Sequence, residues 1–331
     1  MNKFAVIGSG AWGTALAAVL VANGKEVILR TREQSVLDDI KNNNENSVFL
    51  PNIKFKAPLK VTLSLQEALE GAEAVLMAAP AQYVRDICRQ MKDFYPVGLP
   101  LVICSKGIEL SSGLLMSEVV AEELPMAEIA VLSGPSFAAE AAAGKPTLVT
   151  IACRNEAVGK ELVSSIGSMV FRPYYSSDII GVQIGGAVKN VLAIAAGVVE
   201  GKNLGDNTRA AMITRGLAEV CRLAKAMGAN EATLMGMSGI GDLILTANSK
   251  QSRNYSVGFE LGQGKSLAEI MEGRITVAEG VYTASAVCEM AQKIGVELPI
   301  CSAVDKVLKG ETTVDDTIKA LLSRPFKTEG K

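Results

Sequence analysis

The opening stretch FAVIGSGAWGTALAAVLVANGKEVILR, residues 4–30, constrains the fold more than any other part of the chain. A short β-rich apolar run at 4–7 leads into GSGAWG; an apolar helical stretch ends at Gly24, and Val27–Leu29 is apolar again. The pattern reads as strand, glycine turn, helix, strand. Gly8, Gly10 and Gly13 have the G-x-G-x-x-G spacing in the context it requires, the end of a strand and the start of a helix. The first glycine permits a tight turn, the second admits a pyrophosphate close to the backbone, and the third packs helix on strand. The helix N-terminus then faces the anion. A glycine loop of purely structural use is the alternative, but the flanks on both sides fit a dinucleotide site. Trp12, the only tryptophan, lies inside the fingerprint. It is either a core residue or a lid over the cofactor.

At the end of the second strand an NAD-binding chain usually carries an acid for the ribose hydroxyls. Here the residues are Arg30, Thr31 and Arg32, followed by Glu33. Two arginines suit the additional phosphate of NADP(H), which is favoured, while Glu33 keeps NAD(H) possible; an exposed charged loop is the bland reading.

Further apolar runs stand at 74–79, 101–104, 129–132 and 148–151, with helical patterns between them at 84–91 and 114–124. This alternation predicts an α/β fold, a doubly wound parallel sheet of Rossmann type. Ligands then bind outside the carboxyl ends of the strands. That rule selects three loops: AAPAQ at 78–82, CSKGIE at 104–109 and SGPSFAAE at 133–140.

The strand-like runs stop after residue 178. In RGLAEVCRLAKAM, residues 215–227, Leu217, Val220, Cys221 and Ala224 share one helix face. Helical patterns recur at 283–294, 302–309 and 314–322. The expectation is an NAD(P)-binding domain over 1–180 and an all-helical substrate-binding and catalytic domain over 181–331. A length of 331 residues suits two domains.

Composition narrows the function. Lys plus Arg is 33 against 35 acids, without long like-charge runs, so neither a nucleic-acid face nor a membrane patch is expected. The six cysteines form no C-x-x-C and there is no histidine, so no metal site is expected, and the thiols fit a reducing, cytoplasmic setting. No export signal or membrane-spanning segment is expected, since the apolar runs fall well short of roughly 20 residues. The missing histidine also means that any proton transfer falls to lysine, a carboxylate or tyrosine.

GVQIGGAVKNVLAIAAGVVEG, residues 181–201, is nearly all apolar, yet Lys189 and Asn190 stand in its middle. A lone lysine in such a helix usually snorkels to solvent. The neighbouring glycines 185 and 186 and further polar clusters at 239–246, 251–254 and 277–280 favour a functional lysine instead. Burial and a second ammonium both lower a lysine pKa, and Lys106 is a candidate for that second charge; Asp242 acts in the opposite sense. Arg253 has the fork that suits a phosphate. The bland alternatives are a helix cap for Asp242 and a surface ion pair for Arg253.

Taken together, GSGAWGTALA, SKGIE, SGPSFAAE, GGAVKN, GIGDLILT and QSRN, in this order, resemble the bacterial NAD(P)-dependent glycerol-3-phosphate dehydrogenases over essentially the whole chain. That family interconverts sn-glycerol 3-phosphate and dihydroxyacetone phosphate, supplies the phospholipid backbone, and is commonly a homodimer with a Rossmann domain followed by a helical one. The resemblance implies Lys189 as proton donor and acceptor with Asn190 beside it, and Asp242 and Thr246 completing the polar pocket. It implies that Lys106 touches substrate and cofactor, that Gly134 and Ser136 line the substrate site, and that Ala138 lines the cofactor's. Ser252, Arg253 and Asn254 hold the phosphate, Arg253 also nears the cofactor, and Val277 and Glu279 close over the dinucleotide. Ala11 stands where many members have serine, which removes a hydroxyl near the pyrophosphate. The competing readings are another two-domain NADP-dependent hydroxyacid dehydrogenase, acting for example on a phosphogluconate or pantoate, and a non-catalytic NADP(H) sensor.

Overall fold

The computed structural model describes residues 1–272, 278–325 and 328. The chain forms two compact units, one of residues 1–186 with 229–242, the other of 187–228 with 243–331.

In the first unit ten strands run in chain order: β1 (Lys3–Ile7), β2 (Glu26–Arg30), β3 (Glu45–Asn46), β4 (Leu50–Lys54), β5 (Lys60–Thr62), β6 (Ala74–Met77), β7 (Pro100–Ile103), β8 (Glu128–Ser133), β9 (Thr147–Cys153) and β10 (Phe171–Ser176). The helices among them are α1 (Ala11–Ala22), α2 (Gln34–Asn43), α3 (Leu65–Leu69), α4 (Val84–Met91), α5 (Met116–Glu123), α6 (Ala138–Ala142) and α7 (Glu156–Ile166). Eight strands make one sheet in the order β10-β9-β8-β7-β6-β1-β2-β5, and β3 and β4 pair separately. Strand β1 sits between β2 and β6. Its side chains alternate between two cores: Phe4 and Val6 belong to one, Ala5 and Ile7 to the other, and all four are fully buried. A strand buried on both faces reads as an unbroken apolar run, which is why this one stands out in the sequence.

The sheet is not wholly parallel, which corrects the expectation. Strand β9 pairs antiparallel with β8, while β10 is parallel to β9. The connection after β8 contains only α6, five residues. At 1.5 Å per residue that helix advances about 7.5 Å, less than the length of a six-residue strand, about 20 Å. The chain re-enters the sheet from the same edge. Helix α7, with eleven residues, spans about 16 Å and returns β10 in parallel. Pro173 is tolerated in β10 because that strand lies at the edge of the sheet.

The second half is helical: α8 (Ile179–Gly201), α9 (Asp206–Ala226), α10 (Glu231–Leu234), a π-helical turn at Met237–Gly241, α11 (Asp242–Ala247), α12 (Arg253–Gly262), α13 (Leu267–Met271), α14 (Glu279–Lys293), α15 (Pro299–Leu308) and α16 (Val314–Leu322). Helix α8 is longer than the uninterrupted apolar runs of the sequence. By length and composition its 23 residues could cross a bilayer, with a mean hydropathy of 1.6 over an 18-residue window, yet 94% of that window is buried inside the protein. It is a core helix. On α9 the face anticipated at Leu217, Val220, Cys221 and Ala224 is buried except at Leu217, which is half-buried, and Glu219 is buried as well. Its carboxylate accepts the Ile300 and Cys301 N–H groups of the first turn of α15 at 2.7 and 3.2 Å, which satisfies donors that a helix start otherwise leaves open. Burial raises the Glu219 pKa.

Helices α8 and α12 meet backbone to backbone. A methyl on Gly258 would stand 1.9 Å from the Ile194 carbonyl, on Gly197 2.1 Å from that of Tyr255, and on Gly201 2.2 Å from that of Phe259. Replacing Gly258 by alanine raises helix propensity by about 1 kcal/mol, but overpacking against rigid backbone costs about 1–3 kcal/mol or more. The clash wins at this distance. We expect Gly258→Ala to lower the melting temperature; an unchanged or raised Tm would mean that the two helices separate without cost.

Candidate functional site

The glycine turn has the geometry its spacing implied. Gly8 has φ +110, and a Cβ there would lie 2.8 Å from the Ala79 nitrogen; on Gly13 it would lie 1.9 Å from the Gly8 carbonyl. Both positions admit only glycine. Gly10 is different: φ is −62 and a Cβ would meet nothing within 4 Å. It caps α1, has no side-chain cap bond, and is followed by a first turn without an acid. Nothing in the packing demands glycine here, whereas a pyrophosphate approaching the helix N-terminus does. Ala11 opens that helix. Trp12, in the first turn of α1, packs on the core, and its buried indole N–H has no partner among the described residues. The residues present thus fit a dinucleotide phosphate.

Beneath the turn lies a polar network that the sequence did not reveal. The Asn46 amide donates to the Ser9 carbonyl and to Thr14 Oγ1, both at 2.8 Å, and the Thr14 hydroxyl donates to the Ser9 carbonyl at 3.0 Å. The Ser9 and Thr31 hydroxyls bond at 2.7 Å, and the Gly8 N–H donates to the Arg30 carbonyl at 3.1 Å. Ser9, Thr14, Thr31 and Asn46 are buried, so each bond offsets a desolvation cost. At the end of β2, Arg30 is half-buried with its Nε donating to the Leu63 carbonyl at 3.3 Å; burial lowers its pKa. Arg32 is exposed and pairs with Glu33 at 3.3 Å.

The loops after β6, β7 and β8 leave the same edge of the sheet, since these strands run parallel. Lys106, after β7, donates to Asp242 Oδ2 at 2.6 Å and to the Gly134 carbonyl at 3.2 Å. Asp242 has no solvent exposure, so its charge depends on such partners. Gly134, after β8, has φ +144 and lies against the Val149 backbone. Ser136 donates to the Gly134 carbonyl at 2.9 Å, and Ala138 starts α6. Lys106, Gly134, Ser136 and Asp242 therefore form one cluster. The π-helical turn positions Asp242, and Gly239 permits it, since a Cβ there would be 2.1 Å from the Leu234 carbonyl. π-turns of this kind concentrate at functional sites. The turn also touches α8, where a Cβ on Gly185 would be 2.4 Å from the Ser238 carbonyl.

A second cluster belongs to the other unit. Lys189 is 8% exposed, so it does not snorkel, and its Nζ donates to Thr246 Oγ1 at 2.8 Å. Asn254 accepts the Gly280 N–H through Oδ1 and donates to Asn190 Oδ1, both at 2.9 Å. With its oxygen so engaged, Asn190 keeps its own N–H donors for another acceptor. Ser252 caps α12 by accepting the Tyr255 N–H at 3.2 Å, and Arg253, the first residue of the helix, is exposed. Glu279 opens α14, half-buried. Val277 lies outside the described residues. Lys189, Asn190, Thr246 and Asn254 are thus held together, and Asn254 is partly committed to Asn190.

Two family models match the chain, the N-terminus of NAD-dependent glycerol-3-phosphate dehydrogenase over residues 3–159 and its C-terminus over 178–319. A glycerol-3-phosphate dehydrogenase (NAD(P)+) of Parvibaculum lavamentivorans is 54% identical over 328 residues, 99% of this chain and 98% of that one. One of Rhodospirillum rubrum is 53% identical, covering 100% and 95%. The crystal structure of glycerol-3-phosphate dehydrogenase from Coxiella burnetii superposes with a TM-score of 0.93 at 37% identity, covering 98% of this chain and 99% of that one.

The open space at Gly10 separates its structural from its binding use. Gly10→Ala should leave the melting temperature unchanged and weaken dinucleotide binding at least about tenfold, because the methyl occupies the pyrophosphate's approach. The fluorescence of the single tryptophan reports the titration. Equal affinity in variant and wild type would remove Gly10 from the anion site.

Proposed function

The chain belongs to the NAD-dependent glycerol-3-phosphate dehydrogenase family, and from that premise we propose that it reversibly reduces dihydroxyacetone phosphate to sn-glycerol 3-phosphate with NAD(P)H. The observation that carries the chemistry is the buried lysine: in a chain without histidine, Lys189 combines burial with a hydrogen bond to a neutral hydroxyl. Bound NAD(P)H supplies the hydride. As the carbonyl carbon accepts it, charge develops on oxygen, and Lys189 gives that oxygen a proton from Nζ while the Asn190 amide donates a hydrogen bond to it. In the oxidative direction the same amine takes the hydroxyl proton. Thr246 orients the amine, and Asp242 balances the charge of Lys106, which contacts substrate and cofactor.

The phosphate falls to Arg253, Ser252 and Asn254 at the start of α12. A forked guanidinium beside a ten-residue helix whose first turn has no acid suits a dianion. Gly134 and Ser136 line the substrate, while Ala138, Val277 and Glu279 attend the dinucleotide, with Arg253 near both. The helical part, from about residue 181, carries the substrate chemistry and the preceding residues the dinucleotide. NADP(H) is preferred, because Arg32 is exposed where an additional ribose phosphate would stand and Glu33 is engaged by Arg32 and by Thr31. The product supplies phospholipid synthesis, and the enzyme works in the cytoplasm as a homodimer.

Oxidation of NADPH or NADH with dihydroxyacetone phosphate, with unphosphorylated dihydroxyacetone as the control, tests the reaction. Phosphate-dependent turnover is expected, faster with NADPH; bound dinucleotide without turnover would sink the assignment. Lys189→Ala should lower kcat by about 10²- to 10⁴-fold with cofactor binding intact. If cofactor binding is lost too in folded protein, Lys189 serves the cofactor or the fold. Arg253→Ala should raise KM for the phosphorylated substrate by about 10- to 100-fold, the equivalent of a lost charge-assisted bond, and an unchanged KM would exclude Arg253 from the phosphate site.

A further inference from the structure

The SKGIE segment contains a second charged residue, Glu109, to which the reaction above gives no task. It is 5% exposed, and Arg85 grips both of its oxygens: Nε donates to Oε1 at 2.9 Å and Nη2 to Oε2 at 2.8 Å. Ser112 adds a hydroxyl to Oε2 at 2.5 Å. The remaining arm of Arg85, Nη1, reaches Glu122 at 2.7 Å and Glu123 at 2.6 Å on α5, and Arg89 reaches Glu123 at 3.1 Å. The loop is pinned a second time by Gln82. Its amide donates to the Ile108 carbonyl at 2.8 Å and accepts the Leu110 N–H at 3.0 Å, engaging the main chain on both sides of Glu109. At the other end Ser105 donates to the Ala79 carbonyl at 2.5 Å. Lys106 stands between these anchors.

Net stability is a weak reason to build such a cluster. Desolvation offsets most of the Coulomb attraction of a buried ion pair, and apolar residues of similar volume often do as well. What a bidentate guanidinium–carboxylate pair supplies is a fixed orientation. Arg85 holds the Glu109 carboxyl below its ordinary range, so the pair stays charged near neutral pH. Through a backbone of three residues that orientation reaches Lys106, whose ammonium must sit within 2.6 Å of Asp242 and 3.2 Å of the Gly134 carbonyl. We propose that Arg85 and Glu109 are a positioning pair for Lys106, locking the loop after β7 so that this ammonium is aimed before any ligand arrives. The consequence for turnover rests on the reading that Lys106 contacts substrate and cofactor.

The test is a double-mutant cycle in the full chain, read by turnover and by labelling. Arg85→Met should lower kcat/KM for dihydroxyacetone phosphate by about 100-fold, the scale of a 1 Å misplacement, but by less than about threefold in a Lys106→Met background. It should also raise the rate at which acetic anhydride acylates Lys106, followed by mass spectrometry. Arg85→Lys, which keeps the charge and loses the fork, should give an intermediate loss, and Glu109→Gln should behave like Arg85→Met. Glu122→Gln, at an exposed carboxylate that touches only Nη1 and not the fork on Glu109, should change neither readout. Equal losses with and without Lys106 would make the pair merely structural and overturn the proposal, as would unchanged turnover and labelling. Should Arg85→Met fail to fold by its melting curve, Arg85→Lys and Glu109→Gln complete the cycle in its place, and the same two results support or overturn the pairing. If the wild type does not turn over dihydroxyacetone phosphate, the functional reading fails, while Lys106 labelling still decides whether the pair positions that lysine.

Discussion

Helix α8 is packed by close approach at its glycines, backbone against backbone at Gly185, Gly197 and Gly201. Where a Cβ would stand, the backbone of α12 faces Gly197 and Gly201, that of Ser238 faces Gly185, and the Ser133 hydroxyl faces Gly186. Contacts between main chains have no rotamers to change, so polar groups near them inherit a stiff frame. Lys189 and Asn190 lie on the same helix between these glycine contacts, Asp242 follows the turn that touches Gly185, and Ser252 to Asn254 begin the helix that touches Gly197. Each side chain proposed for the site is thus a short distance in sequence from a backbone contact.

Polar groups buried by this packing are matched in chains rather than pairs. Gly280 donates to Asn254 and Asn254 to Asn190, which fixes which way the Asn190 amide faces. Asp242 receives Lys106, and Asn46 braces the glycine turn from below. A buried amide or carboxylate left unmatched costs about 1–3 kcal/mol or more, so the geometry is enforced by the penalty for leaving it as much as by the bond itself.

The sequence made much of this visible, for reasons that differ by residue. Strands buried on both faces announce themselves as apolar runs, so β1, β6, β7 and β8 were legible. Strand β10 was not, because an edge strand carrying Pro173 alternates weakly. The reversal of β9 was not legible either, because periodicity does not report strand direction. Lys189 stood out as a charge in an apolar helix, and QSRN and GIGDLILT as polar breaks; the roles came from resemblance to a family. Pairings across long separations left no local trace. Lys106 and Asp242 are 136 residues apart, Asn46 and Ser9 37, and Arg85 and Glu109 24, so only folding brings them together.

The division of the chain has a further consequence, for its synthesis. Residues 229–242 belong with the first unit although the chain has by then already built 187–228 of the second. The first unit is therefore not complete when its last strand emerges from the ribosome. The carboxylate that Lys106 pairs with is synthesised 136 residues after it. No cut at a single peptide bond separates the two units, because each is built from two stretches of the chain.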